Sequence, residues 1–234
     1  MRRALSLAVV LAIAASAFAG TVNAVMPPAY KDVPGTGTFI GPHAVGPRTY
    51  QLLIHESLLT DLVGLSLNGL TWRLPTSATA DWPTQDVTYA SYDIYLSQSV
   101  APEFRSLTFA NNVVGPQTLV RSGPLTVNTG AYTFGNSPNE FGPTIPFSEW
   151  LYSGGHLLIE IRHVGNSFGS RNVDALTTST AGYGTLFSGA WASSATATTG
   201  SQGNFSITRL SAVPEPATAI LSGALALLAL RRRA

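Results

Sequence analysis

The sequence predicts an all-β protein: a β-sandwich or jelly-roll-like ectodomain, with a signal helix before it and a single transmembrane helix after it. Three observations carry this prediction. Short apolar segments with period-two alternation follow one another between residues 48 and 212, punctuated by the chain's 22 glycines and 15 prolines, while helical periodicity is nearly absent. The N-terminus has the charged, apolar and small-residue zones of an export signal. The C-terminus ends in an uncharged run closed by arginines.

Residues 1–24 form the expected signal peptide. Arg2 and Arg3 supply the charged region and the stretch from Ala4 to about Ala14 supplies the apolar one. Ala17-Phe18-Ala19 offers one cleavage site and Val22-Asn23-Ala24 a second. The arginine pair lacks the fuller twin-arginine pattern, so Sec export is expected. Residues 25–47 are rich in Pro and Gly and read as an irregular lead-in with one short strand.

The ectodomain, residues 48–212, then opens on a strand over Arg48–Glu56. Glu56–Gly64 is the one segment able to make a turn or two of helix. In Leu65–Leu74 the residues Leu70, Trp72 and Leu74 face one way and Thr71 and Arg73 the other. In Val87–Ser97, Tyr92, Ile94 and Leu96 oppose Ser91, Asp93, Tyr95 and Ser97. Thr118–Val127 reads as two short strands, or one bulged strand, about Gly123-Pro124. Thr144–Tyr152 and His156–Val164 flank Ser153-Gly154-Gly155, a hairpin signal. Tyr183–Phe187 is a weaker strand, and Asn204–Val213 is a last strand that runs into the tail. From Thr177 to Gly203, 12 of 27 residues are Ser or Thr. That stretch reads as a long surface loop, a strand pair with a polar face, or a glycan-carrying segment.

The tail, residues 213–234, has three parts. Pro214, Glu215 and Pro216 come first, and the two prolines hold the chain extended. Residues 217–230 follow without a charge. As a helix this run is roughly 21 Å long, against roughly 30 Å of bilayer hydrocarbon, so it spans only with local thinning or snorkelling. Arg231, Arg232 and Arg233 close it and belong on the cytoplasmic side. These residues in this order resemble the PEP-CTERM sorting signal of Gram-negative bacterial surface proteins. The resemblance implies recognition by an exosortase, a membrane protease-transpeptidase. The protein would be anchored in the membrane transiently, then released to the cell surface or the extracellular matrix, where exopolysaccharide is an expected neighbour. The blocks GLSLNGLTWRLP, YDIYLSQS, LTFANNVVGPQTLVRSG, FGPTIPF and YSGGHLLIEIRH also resemble the ectodomains of such proteins. His156 stands where Asn or Asp is expected. This second resemblance covers about residues 48–165 and implies a β-sandwich without an assigned activity.

Charge excludes one class of function. Five of the 13 basic residues lie in the terminal segments. Between them remain 8 basic and 11 acidic residues, a net of −3, so nucleic-acid binding has no electrostatic support. The absence of cysteine excludes disulfides, thiol nucleophiles and thiolate metal sites.

Candidate chemistry is sparse. Gly165-Asn166-Ser167-Phe168-Gly169 matches G-x-S-x-G, but no helix signal follows it and the last histidine, His163, precedes the serine. A Ser167–His163–Asp174 triad would therefore have an unusual order. His55-Glu56 begins a zinc helix signature that Leu59 interrupts. His156, Glu160 and Arg162 share a strand face, read as solvated, with His163 on the other. Gly35-Thr36-Gly37 fails as a dinucleotide loop because Ile40 replaces the third glycine. Asp61, Asp81, Asp86, Asp93, Glu103 and Asp174 form no calcium-loop pattern, leaving at most a structural calcium and no other cofactor. Trp82, Tyr89, Tyr95 and Trp191 are the aromatics expected on the surface, where they would stack on sugars. A non-enzymatic surface or matrix protein is expected. A carbohydrate-binding module is the alternative, and a secreted hydrolase a further one.

Overall fold

The computed structural model of the chain describes residues 20–214. The signal segment 1–19 and the tail from Glu215 onward, including the 217–230 run and the arginine cluster, lie outside the described residues. Among the described residues no helix is long and apolar enough to cross a membrane.

Two large antiparallel sheets make the body, beside a three-stranded sheet and a two-stranded pair. The strands, in chain order, are β1 (Val22–Met26), β2 (Gly37–Phe39), β3 (Arg48–Ile54), β4 (Leu65–Thr71), β5 (Val87–Tyr89), β6 (Tyr92–Ser99), β7 (Val113–Arg121) and β8 (Leu125–Val127). They continue as β9 (Ile145–Tyr152), β10 (Leu157–His163), β11 (Val173–Leu176), β12 (Phe187–Ala192), β13 (Ser201–Gly203), β14 (Phe205–Ser206) and β15 (Thr208–Pro214). One large sheet has the order β1-β15-β4-β9 and the other β13-β12-β3-β10-β6-β7; the three-stranded sheet is β14-β11-β2 and the pair is β5-β8. The long strands visit the two sheets in the order β1, β3, β4, β6, β7, β9, β10, β15, crossing between them at almost every step. This is the winding of a jelly roll, with β12 and β13 added beside β3.

Alternation explains why these segments pair. Tyr50, Leu52 and Ile54 of β3, Ile159 and Ile161 of β10, and Tyr92, Ile94 and Leu96 of β6 point inward. There they meet Leu67 and Leu70 of β4, Ile145 and Phe147 of β9, and Leu210 of β15 in one continuous core. A fully buried aliphatic side chain of this kind contributes about 1.5–3 kcal/mol.

The turn at 153–155 departs from the hairpin expectation. β9 pairs with β4 and β10 pairs with β3 and β6, so Ser153-Gly154-Gly155 carries the chain from one sheet to the other. Gly154 and Gly155 both have positive φ, of 106° and 85°, which suits a tight reversal of either kind. The Glu56–Gly64 segment forms two short 3-10 turns, Glu56–Leu58 and Thr60–Leu62. Val87–Ser97 breaks into β5 and β6, and the Gly123-Pro124 region separates two strands, β7 and β8. β1 pairs along its whole length with β15, so the sheet begins ahead of the predicted lead-in. β11 and β12 had no clear signal.

A buried ion pair fastens the lead-in. Arg73 Nε donates to Asp174 Oδ2 at 2.9 Å, and both side chains are almost wholly buried. The Arg73 Nη atoms donate to the carbonyls of Tyr30, Lys31 and Val33, and Asp174 also accepts from the Gly35 N–H. The charges are thereby fully hydrogen-bonded, the condition for burying such a pair at tolerable cost.

A polar groove on the outer face as candidate site

The outer face of the six-stranded sheet carries a connected set of polar side chains. Strand register places Ala190, Gln51, Glu160 and Tyr95 in one row across β12, β3, β10 and β6. Thr49, Arg162 and Asp93 form the next row. The inward alternates of these positions are core residues, so packing of the sandwich fixes the rows' orientation.

The row is not a solvated face, contrary to expectation. Glu160 is only 3% exposed. Its Oε1 accepts from Arg162 Nε at 2.6 Å and its Oε2 accepts from Gln51 Nε2. Gln51 Oε1 accepts from Asn112 Nδ2 at 2.7 Å, and Gln51 Nε2 also reaches the Phe109 carbonyl. Two covering segments explain the burial. The 3-10 turn Phe109–Asn112 lies over Gln51. The Ser/Thr-rich loop 193–199, between β12 and β13, is held by Arg162 Nη1, which donates to the Ala195 carbonyl at 3.0 Å. The two covers are tied together, because the Phe109 N–H donates to the Thr198 carbonyl and the Gly200 N–H to that of Leu107. The Ser/Thr-rich stretch thus contributes a strand pair and an ordered loop.

Beside this cover the face stays open. A cavity of about 440 Å³ is lined by Asp93, Tyr95, Gln117, Glu160, Arg162 and Thr196, among others. A second, of about 380 Å³, is lined by Phe109, Val113, Gln117, Glu160, Arg162 and Thr198, among others. They share Gln117, Glu160 and Arg162, so they are two ends of one groove with the ion pair at its middle. Tyr95 is half-buried. Desolvation, then the Asp93 charge, pushes its phenol above the ordinary value. Asp93 is itself held in place, since its Oδ1 accepts from Ser91, Ser122 and the Gly123 N–H.

The remaining candidate residues are dispersed. Of the four aromatics expected at the surface, Trp82 and Tyr89 are buried. They pack around His43, whose Nδ1 and Nε2 bond the hydroxyls of Tyr89 and Tyr132. Trp191 opposes Tyr50 in register, lies edge-on to Phe39 and carries Arg48 over its ring. It sits on the inner side of the sheet, leaving Tyr95 alone in the groove. Alternation could not reveal this, because core aromatics and platform aromatics share one residue type.

No triad assembles. Ser167 Oγ accepts from the Thr88 N–H. His163 is fully buried, accepting at Nδ1 from the Gly165 N–H and facing the Gly41 carbonyl with Nε2. Asp174 is engaged by Arg73 and Gly35. The G-x-S-x-G segment serves as a turn, with Gly165 at φ +98°. His55 and His156 lie with ring centroids 4.5 Å apart. Both accept backbone N–H groups at Nδ1, from Ser57 and Glu56 respectively, so those nitrogens are already engaged within the loop. Among the described residues no group of three or more His, Cys, Asp or Glu gathers for a metal. Asp81 and Asp86 accept loop N–H groups, from Phe134 and Thr129.

Gln51, Asn112 and Gln117 were absent from the sequence-derived candidates. A signal for the first existed: Gln51 adjoins the apolar Leu52–Ile54 and Glu160 interrupts the apolar run Leu157–Ile161, polar residues embedded in strongly apolar strands, as in a buried cross-strand pair. Comparison with protein-family models, curated proteins and solved structures found no match to this chain.

Proposed function

We propose that this chain is an exported, non-enzymatic surface or extracellular-matrix protein of the PEP-CTERM kind. Sec carries it out, the 217–230 run holds it in the membrane, and an exosortase reads Pro214-Glu215-Pro216 and processes the tail. Glu215, fixed between two prolines, is the recognition residue. Arg231–Arg233 stop transfer from the cytoplasmic side.

The observation that supports this reading is the pairing of the first and last described strands. β15 reaches Pro214, the first residue of the Pro-Glu-Pro motif and the last described residue, and β1 starts at Val22. The two strands are antiparallel partners with Val22 opposite Ala212, so the start of β1 and the end of β15 lie at the same end of the sheet. A tail leaving there would put the body against the membrane face without unfolding a strand. The same pairing supports the first of the two signal cleavage sites. A cut after Ala19 leaves β1 whole, whereas a cut after Ala24 removes Val22, Asn23 and Ala24 from it. The non-enzymatic assignment rests on the other engagements of Ser167, His163 and Asp174.

Replacing Pro214, Glu215 and Pro216 together by alanine tests the reading in the bacterial host. The variant is expected to accumulate in the inner membrane at unprocessed mass while the parent protein leaves it. Equal release of both chains would count against tail-directed sorting.

A further inference from the structure

We propose that the groove on the outer face of the six-stranded sheet binds a neutral, hydroxyl-rich glycan chain, with Tyr95 as its stacking platform and Asp93, Gln117, Glu160 and Arg162 as its polar contacts. This inference does not depend on how the protein is sorted.

Four features point to that ligand. The groove has the volume of a ligand site, about 440 and 380 Å³ in its two lobes. Its two connected lobes suit linked rings better than one small molecule. Its lining alternates planar donors and acceptors: the Arg162 guanidinium, the Gln117 amide and the Asp93 and Glu160 carboxylates. Sugar hydroxyls both donate and accept, so they satisfy such a mixed lining, which an apolar ligand would leave unpaired. The charged groups lining it, Asp93, Glu160 and Arg162, leave a net negative site, which disfavours polyanions such as nucleic acid or polyuronate.

Pre-organisation is the fourth feature. Glu160 is held from both oxygens by Arg162 and Gln51, and Gln51 is held by Asn112. Arg162 also fixes the wall loop through Ala195. Among the described residues its Nη2 has no hydrogen-bond partner, which leaves a donor for the ligand. Held groups lose little entropy on binding. Because both Glu160 oxygens are already engaged by donors, the carboxylate is a binding group here rather than an acid or nucleophile of glycoside cleavage.

The test is affinity electrophoresis of the full chain in a non-ionic detergent without a sugar headgroup. The gels would contain hydroxyethylcellulose, galactomannan or dextran as neutral probes and alginate as the polyanion. At least one neutral probe is expected to retard the protein. Tyr95→Ala should weaken that retardation about tenfold, and exposed Gln117→Ala should weaken it less. Phe104→Ala, 69% exposed and outside the groove, should leave it unchanged. Circular dichroism would establish that the variants remain folded. Retardation by no neutral probe, retardation by alginate in preference, or retardation that survives Tyr95→Ala in the folded variant would overturn the proposal.

Discussion

At His43 both imidazole nitrogens are spent on tyrosine hydroxyls inside an aromatic shell. Burial, followed by the nearby His163, pulls its pKa down to about 3. Burial likewise lowers His163 to about 4, opposed by the Gly41 carbonyl. Both folded values lie below the ordinary 6.5. Below pH 6.5 the unfolded chain therefore takes up protons that the native state refuses. The contribution of each ring is complete above pH 6.5 and is lost as pH falls, at about 1.4 kcal/mol per pH unit. The loss levels off near pH 4 for His163 and near pH 3 for His43. Urea midpoints measured from pH 7.5 to pH 4.5 should fall steadily below 6.5, and a flat profile would contradict the neutral assignment. Asp174 makes a second test at this scale. Asp174→Ala strands the Arg73 guanidinium in the interior and should cost about 3–5 kcal/mol in urea unfolding. Trp82→Ala should likewise act on stability, by about 3–5 kcal/mol, and not on glycan retention, because the ring is core.

Strands were legible where one face met the core and the other met water. Tyr92, Ile94 and Leu96 against Asp93 and Tyr95 gave the face and parity of β6 directly. Partners were not legible, because alternation says which way a side chain points and nothing about which strand lies beside it. Ser153-Gly154-Gly155 shows the difference: its glycines signal a tight reversal, and a reversal within a sheet or between sheets has the same local chemistry. β12 was missed for a related reason. Its FSGAWA sequence alternates small residues, which fit the narrow space beside β13, where a Cβ on Gly189 would lie 3.0 Å from the Gly203 carbonyl oxygen. The groove inherited both gaps, since its residues come from β6, β7, β10 and the loop after β12. Gly165 belongs to this scale too. It combines a φ of +98° with a Cβ position 2.2 Å from the Val45 carbonyl oxygen. Gly165→Ala should therefore cost more than about 1 kcal/mol in thermal or urea unfolding, while Ser167→Ala, which removes one hydrogen bond to the Thr88 N–H, should cost about 1.

Residues 20–214 form a sandwich whose first and last described strands lie side by side, with a polar groove on the far sheet. The proposed sorting signals adjoin the β1–β15 strands in sequence while the proposed ligand face lies on the other sheet, an arrangement that would let the protein be processed and still present its groove. The β1–β15 pairing makes the N-terminal cleavage position a structural matter, since a chain lacking residues 22–24 loses most of an edge strand. The most direct test is the intact mass of the protein recovered from the organism that makes it, fraction by fraction. The account predicts a surface or extracellular species that begins at Gly20 and lacks the segment after the Pro-Glu-Pro region. A species retaining residues 217–234 in the inner membrane, with none released, would make the tail a plain anchor and contradict the proposed sorting.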